Sequence, residues 1–257
     1  MIKKIIDAEL KYKECFSEFK DCSTYSRYSD LKILDMRAHN NIVIKPGISE
    51  ELKKEIILTE MNRRKAGGYD FLKVISFDSI HQDTIDKFTI RPEVDIYDFM
   101  IIESRLSSEL KTKENTTVRI ANNSNVLSDG RAVDIEANKT GMGEDFAIRR
   151  IDRKIEVYKD VNSPLNLYVC YDHERPVGNC ELFLDAHIAK IEDFDILESY
   201  QKMGYGTHFL KALLSETSKR GIDYAYVVTD HFDSAKDMYR KCGFRYIASS
   251  TELLFTL

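Results

Sequence analysis

The sequence lacks the residue patterns of metal sites and disulfide frameworks. It has an odd number of cysteines without a Cys-x-x-Cys pair, and its six histidines include no His-x-x-x-His or His-Glu-x-x-His pair. A chain of 257 residues is large enough to fold without disulfides. We therefore expect no metal ion and reduced, mainly structural cysteines. The five cysteines are Cys15, Cys22, Cys170, Cys180 and Cys242.

The chain also lacks long apolar runs and an excess of basic residues. No stretch is apolar for long enough to form a signal peptide or a membrane span, and the first residues, Met1 to Lys4, are already charged. These features predict a cytoplasmic protein that does not bind a membrane. Net charge is −5, with acidic and basic residues interspersed, so no nucleic-acid partner is predicted. A hydrophobic share of 43% allows one large domain or two small ones.

The most informative segment runs from Asp193 to Thr207 and predicts a strand that turns through glycines into a helix. Gly204 and Gly206 would let an anion approach the backbone. A helix start carries unpaired N–H groups and the positive end of the helix dipole. The helix itself is indicated by an apolar face of Phe209, Leu210, Leu213 and Leu214.

Two readings of this segment are open from the glycines alone: a phosphate-binding loop and a tight connection without a ligand. Nucleotide-triphosphatase loops are excluded because no Gly-x-x-x-x-Gly-Lys-Ser/Thr is present. A dinucleotide fold is disfavoured because Phe209 stands where a third small residue is required.

Two motifs in the right order carry a resemblance to a known family. The first is Gln201-Lys-Met-Gly204-Tyr-Gly206, and the second is Ala235-Lys-Asp-Met-Tyr239-Arg-Lys-Cys-Gly243-Phe244. With them, residues 113–257 resemble the GNAT superfamily of acetyl-coenzyme A dependent N-acetyltransferases. In that family a (Arg/Gln)-x-x-Gly-x-(Gly/Ala) loop binds the coenzyme's pyrophosphate. One departure is that many relatives carry an Asn shortly before the alanine, whereas this chain has Phe232-Asp-Ser234.

The resemblance implies an α/β (α+β) fold with a mixed, mostly antiparallel central sheet flanked by helices. We expect the strand before the glycine loop to diverge from its neighbour, which leaves N–H groups free. In chain order, the predicted elements after residue 113 are a strand at 117–121, a broken helical region, a helix at 144–158, strands at 166–171, 177–185 and 188–197, the helix after the loop, a strand at 224–229, a helix over the second motif and a closing strand at 253–257.

A polar segment at 107–116 divides the chain into an N-terminal domain, 1–112, and the GNAT-like domain, 113–257. Sliding the first half by 95 positions gives three matches in one register. We therefore predict that the first half is a smaller α/β domain and a degenerate copy of the same fold. It has no glycine after Ser104, so one coenzyme site is expected, in the C-terminal half. The matched segments are 98–104 with 193–199, 72–74 with 167–169, and 49–66 with 144–160.

The resemblance also implies roles for individual residues, with acetyl-CoA as cosubstrate. A backbone N–H from 194–196 would stabilise the oxyanion. Tyr239 would protonate the departing thiolate, and Glu192 would act through water as the base, because a lysine-like amine of pKa ~10.4 arrives protonated. A solvated or paired carboxylate is an open alternative for Glu192, whereas Asp193 and Glu198 are expected at the surface. The coenzyme-binding candidates are Phe194, Asp195, Ile196, Gln201, Lys202, Met203, Gly204, Tyr205, Gly206 and Thr207.

These features predict an N-acyltransferase in which a primary amine attacks acetyl-CoA directly in a ternary complex, because no cysteine has an evident histidine partner at the loop. A coenzyme A binding regulatory module without catalysis is the alternative, and a purely structural interaction protein is a third reading. The sequence does not identify the amine acceptor. A monomer and a homodimer are both open.

Overall fold

The computed structural model describes residues 1–233 and 235–257. The helices are α1 (Ile2–Glu14), α2 (Glu50–Ala66), α3 (Gln82–Ile85), α4 (Ser124–Met142), α5 (Glu144–Tyr158), α6 (Tyr205–Lys219) and α7 (Ala235–Lys241). The strands are β1 (Glu18–Asp21), β2 (Tyr25–Ser29), β3 (Asn41–Ile44), β4 (Phe71–Ser76), β5 (Glu93–Glu103), β6 (Thr116–Ile120), β7 (Leu165–Asp172), β8 (Arg175–Leu184), β9 (Ala189–Ile196), β10 (Tyr224–Asp230) and β11 (Arg245–Thr256). Two 3₁₀ turns follow β5 and β9, at Ser104–Glu109 and Glu198–Tyr200.

The chain forms two compact units that interleave along the sequence. Unit 1 comprises Met1–Cys15, Met100–Val228 and 234–246, and unit 2 comprises Phe16–Phe99, Thr229–Asp233 and Ile247–Leu257. The sequence-based division, by contrast, was a single boundary between residues 112 and 113. The difference arises because α1 belongs to unit 1 and most of β11 belongs to unit 2.

The sheet of unit 1 has the strand order β10-β9-β8-β7-β6. Pairs among β6, β7, β8 and β9 are antiparallel, and β10 pairs with β9 in parallel. On one face lies α6, whose predicted apolar residues Phe209, Leu210, Leu213 and Leu214 are all fully buried. On α5, which spans the predicted residues, Ile151 and Ile155 are buried. The mostly antiparallel α/β fold predicted from the sequence is confirmed.

Unit 2 has the strand order β1-β2-β3-β4-β11. Its helix α2 begins after Ser49, whose Oγ accepts a hydrogen bond from the amide of Leu52. The apolar core lies between α2 and β3, β4 and β11, with Ile42, Ile57 and Phe255 fully buried. The closing strand, predicted at 253–257, begins earlier in the structure: β11 runs from Arg245 to Thr256, and its last six residues, from Thr251, pair with β4.

The three segments matched by the 95-residue shift have the same kinds of structure in both halves: α2 and α5, β4 and β7, and β5 and β9. The strand β8 has no counterpart, because the short helix α3 lies 95 positions before it. That the first half is a copy of the second stays a prediction. No helix among the described residues is long and apolar enough to cross a membrane.

Candidate active site

The strands β9 and β10 pair along the first part of β9 and then diverge. Their parallel pairing covers Ala189, Lys190 and Ile191 only. At the same point the register between β8 and β9 shifts, because Glu181 faces Glu192 whereas Asn179 faces Asp195. This shift is a β-bulge, because β9 has one more residue here than β8. Asp193 lies in the bulge and has a left-handed backbone, with φ +46. Such a bulge bends a strand away from its neighbour, so the edge of β9 from Glu192 to Ile196 is open on the β10 side, as the sequence predicts.

The loop between β9 and α6 is folded back onto the strand end. The Nε2 of Gln201 donates to the carbonyl of Ile196 at 2.9 Å, which fixes the loop to β9. Lys202 and Gly204 both have positive φ angles, 60 and 93. At Gly204 a side chain would be strained, but the space beside it is open: an added Cβ would meet only the Cδ of Lys113, at 3.9 Å.

The first turn of α6 has amide groups without a capping side chain. No side chain caps Gly204, the residue before the helix. The amide of His208 donates to the Gly204 carbonyl at 3.1 Å, and the three amides before it belong to the part of a helix that has no carbonyl to bind. Two ammonium groups add positive charge here. Lys202 is exposed, and the Nζ of Lys113 lies 4.5 Å from the centre of the Tyr205 ring.

The side chains of this first turn face the protein interior. Tyr205 is 3% exposed. A Cβ added at Gly206 would lie 3.3 Å from the Sδ of Met238, and the Oγ1 of Thr207 lies 4.0 Å from the Sγ of Cys242. The absence of a side chain at Gly206 therefore serves close helix packing, and not an open approach to the loop as the sequence suggested. Of the predicted loop residues, only Gln201, Lys202, Met203 and Gly204 are exposed.

An aromatic group connects the open strand to α7. The ring of Phe194 lies 5.2 Å from Phe209 and 6.5 Å from Tyr239, with the latter pair edge to face. Tyr239 in turn packs edge to face on Phe244 at 5.4 Å. Tyr239 is 7% exposed, so its position is fixed by these rings. Phe194, Ile196 and Tyr239 thus belong to one apolar cluster on the α6 side of β9.

The opposite face of β9 is strongly charged. Arg150 donates to both oxygens of Asp134, at 2.9 and 3.0 Å, and also to Asp193. Lys154 donates to Asp193 and, at 2.7 Å, to Glu181. Asp193 was predicted at the surface, and this is wrong: although burial opposes ionisation, Arg150 and Lys154 hold the pKa of Asp193 well below its usual range. Glu198 is exposed, as predicted.

The candidate base Glu192 is paired rather than solvated. Its Oε2 lies 3.0 Å from the Nζ of Lys190, which also lies 2.8 Å from Glu9 of α1. Burial raises the pKa of Glu192, and the charge of Lys190 only partly opposes this. A carboxylate with a raised pKa is a stronger base than a free one.

Asp195 differs from the other carboxylates of this face. The Nδ2 of Asn138 donates to its Oδ2 at 3.1 Å, and no cation lies within ion-pair distance among the described residues. Burial, with the nearby charge of Asp193, raises the pKa of Asp195 to about 6. The sequence predicted a coenzyme contact for Asp195. The structure directs its side chain to α4, away from the face that carries Phe194.

Burial disfavours ionisation of the thiols near this site. Burial raises the pKa of Cys242, and it raises the pKa of Cys170 to about 12 and that of Cys180 well above its usual value. Since the thiolate is the nucleophilic form, none of these three cysteines is activated.

Comparison with known proteins identifies the region that carries these features. Residues 137–244, which contain both sequence motifs, match the Acetyltransferase (GNAT) family. These residues form a GNAT acetyltransferase domain. The chain is also 34% identical over 125 residues to the uncharacterized N-acetyltransferase CgeE of Bacillus subtilis (strain 168). That match covers 46% of this chain and 47% of CgeE, so it spans about half the length of the relative.

Solved structures resemble the whole chain in fold. A functionally unknown conserved protein from Staphylococcus epidermidis has a TM-score of 0.78 at 18% identity, covering 93% of this chain and 94% of the other. A GCN5-related N-acetyltransferase from Kribbella flavida has a TM-score of 0.73 at 12% identity, covering 98% and 94%. At these identities the likeness concerns the fold.

Several residues around the GNAT domain's open strand could not be found from sequence. Lys113 lies in a polar segment with no distinguishing pattern. Arg150 and Lys154 alternate with apolar residues on α5 and resemble an ordinary solvated helix face, yet they are 6% and 2% exposed. The departure from the family pattern includes Ser234, which lies outside the described residues.

Proposed function

We propose that the protein is an N-acyltransferase that transfers an acetyl group from acetyl-CoA to a primary amine. One observation carries the proposal: the open edge of β9 leads directly into a left-handed glycine and an uncapped helix start. A helix start of this kind binds phosphate oxygens through its amides and dipole. The family match supports acyl transfer in general, whereas the acetyl donor and the amine acceptor are part of the proposal.

The residues fit the coenzyme both at the start of α6 and along the open edge of β9. At the loop, the amides after Gly204 would bind the pyrophosphate, and the exposed Lys202 would add an ion pair. Along β9, the N–H groups from Phe194 to Ile196 would bind the arm of the coenzyme and the acetyl carbonyl oxygen. The side chains of Tyr205 and Thr207 would play no part, because they face the interior.

The chemistry removes two protons from the acceptor nitrogen and delivers one to the coenzyme sulfur. An ammonium group of the acceptor would lose a proton to Glu192 through water, and the free amine would attack the thioester carbonyl carbon. The C–N bond forms, and the attacking nitrogen loses its second proton to solvent. The C–S bond breaks, and the thiolate takes a proton from Tyr239, which solvent then returns to the tyrosine. After the C–N bond forms and before the C–S bond breaks, backbone donors on the β9 edge would stabilise the oxyanion. This effect typically contributes ~3 kcal/mol per donor.

Direct attack is favoured over a covalent acyl-enzyme because of the state of the thiols. A cysteine nucleophile must be ionised, but burial raises the pKa of Cys242, the cysteine of the second motif. A ternary complex of protein, acetyl-CoA and amine is therefore the proposed reacting species.

A second candidate function is a coenzyme A binding module without catalysis. It is favoured by the loop after β10, where Asp233 follows an 86% exposed Phe232 and no asparagine is present. Many relatives carry an asparagine at this place, so its absence distinguishes this chain from them.

The test is thiol release from acetyl-CoA in the presence of a panel of primary amines, followed with a thiol-reactive dye. Amine-dependent release that yields the N-acetyl product by mass spectrometry is expected. Binding of coenzyme A without release for any amine would support the module instead. No binding at all would contradict both functions and leave a structural role.

A further inference from the structure

A buried hydrogen-bond acceptor without a donor and a carboxylate without a cationic partner lie opposite each other on the charged face of β8 and β9, among the described residues. Asn179 and Asp195 are direct cross-strand partners, and such pairs have Cβ atoms roughly 5 Å apart. The Oδ1 of Asn179 is buried and receives no hydrogen bond from any described residue. Asp195 is partly exposed, so its carboxylate can be reached from solvent.

The orientation of both amides around Asp195 is fixed by their neighbours. The Nδ2 of Asn179 is 3.5 Å from the Oδ2 of Asp134, so its Oδ1 is the atom left over. The Nδ2 of Asn138 donates to the Asp134 carbonyl at 2.9 Å as well as to Asp195. The Asn138 nitrogen has thereby used both of its hydrogens, and it cannot serve Asn179.

The charges around this pair are not balanced. Arg150 neutralises Asp134 and Asp193, and Lys154 neutralises Asp193 and Glu181. Within the described part of the chain, Asp195 is the carboxylate of this face that has no cationic partner. A buried acceptor without a donor is costly, by ~1–3 kcal/mol. A ligand that brings both positive charge and N–H groups would satisfy Asp195 and Asn179 together.

We propose that Asp195 and Asn179 bind a positively charged nitrogen of the acceptor, so that the preferred acceptors are amines that carry a second cationic group, such as α,ω-diamines. An ammonium group has three donors, enough for the Asp195 carboxylate, the Asn179 oxygen and one water. This inference rests on the proposed acyl transfer for its kinetic consequences, but the binding site itself does not.

The site suits an organic cation better than a metal ion. One carboxylate and one amide oxygen are fewer ligands than a hard cation takes from a protein. No group of three or more ligating side chains suited to a metal exists among the described residues. Because the pKa of Asp195 is about 6, its carboxylate is mostly ionised above neutral pH. Ammonium groups are still charged there.

The experiment compares α,ω-diamines of two to six methylene groups with n-butylamine as acceptors at pH 7.5, using wild type, Asp195→Asn and Asn179→Ala. The matched control is Asp145→Asn, an 88% exposed carboxylate on α5. For wild type and the control, we expect kcat/KM for the best diamine to exceed that for n-butylamine by ~10-fold or more. In Asp195→Asn the ratio should fall toward one through a rise in KM for the diamine. An unchanged ratio in Asp195→Asn would overturn the proposal.

A binding measurement separates this inference from the proposed function. The best diamine alone, titrated without acetyl-CoA, should raise the melting temperature of wild type and of Asp145→Asn, but not of Asp195→Asn. If no amine is acetylated and this pattern is still seen, the cation site stands and acyl transfer fails. If amines are acetylated without any diamine preference and without the shift, acyl transfer stands and the cation site fails.

Discussion

The raised pKa of Asp195 predicts that removal of its charge stabilises the protein. The pKa rises from 3.8 to about 6, so the folded state holds a proton more tightly than the unfolded chain. The penalty for ionising Asp195 is therefore absent at low pH, develops as the pH rises from ~4 to ~6, and is complete above that. About two pKa units correspond to ~3 kcal/mol at most.

Asp195→Asn keeps the shape and removes the charge. The introduced amide could still accept from Asn138, and its nitrogen could donate to the buried Oδ1 of Asn179. We expect the variant to be more stable than wild type by ~1–3 kcal/mol at pH 7.5, and by no more than about 0.6 kcal/mol at pH 4. The gain in stability would accompany the loss of cation binding, the trade-off expected of a functional site.

Thermal unfolding followed by circular dichroism from pH 4 to pH 7.5 measures this effect. For 150–250 residues, 1 kcal/mol shifts Tm by roughly 2–4 °C, so a rise of ~2–12 °C at pH 7.5 is expected. Asp145→Asn serves again as the control and should stay within about 0.5 kcal/mol of wild type. A destabilised Asp195→Asn, or a difference that does not change with pH, would refute the reasoning.

Three further predictions concern the proposed reaction. Tyr239→Phe should lower kcat by roughly 10²-fold, because it removes a general acid, and should leave coenzyme A affinity by calorimetry nearly unchanged; an unchanged kcat removes Tyr239 from that role. Glu192→Gln should abolish the acid limb of the kcat/KM profile, since wild-type activity falls as the pH drops through the raised pKa of Glu192; an acid limb that persists argues for another base. Gly204→Val should abolish coenzyme A binding. The control Gly221→Val should lose stability only, because Gly221 has a similar positive φ at the other end of α6 and open space around it. Equal coenzyme affinities in the two variants would exclude the loop as the coenzyme site.

The sequence predicted those features that depend on local pattern. The apolar face of α6 and the span of α5 follow from periodicity, and the structure has both. The family motifs likewise depend on short spacings, and both fall within the GNAT domain.

Features that depend on contacts distant in sequence were not predictable. Asp193 is adjacent to the open edge of β9, and nothing in its neighbours indicates that Arg150 and Lys154 reach it from α5. Gly206 looks like a loop glycine in sequence, but the nearest atom to its missing side chain belongs to Met238, on α7. The pairing of β11 with β4 joins residues more than 170 positions apart, which no local pattern encodes.

The central claim is that coenzyme A binds along the open edge of β9 and at the start of α6. Hydrogen–deuterium exchange with and without coenzyme A tests it directly, because the claim concerns specific amide groups. We predict slower exchange in peptides that cover residues 192–207, with no comparable change at the exposed start of α4. Slowed exchange elsewhere, with residues 192–207 unaffected at saturating coenzyme A, would contradict the account.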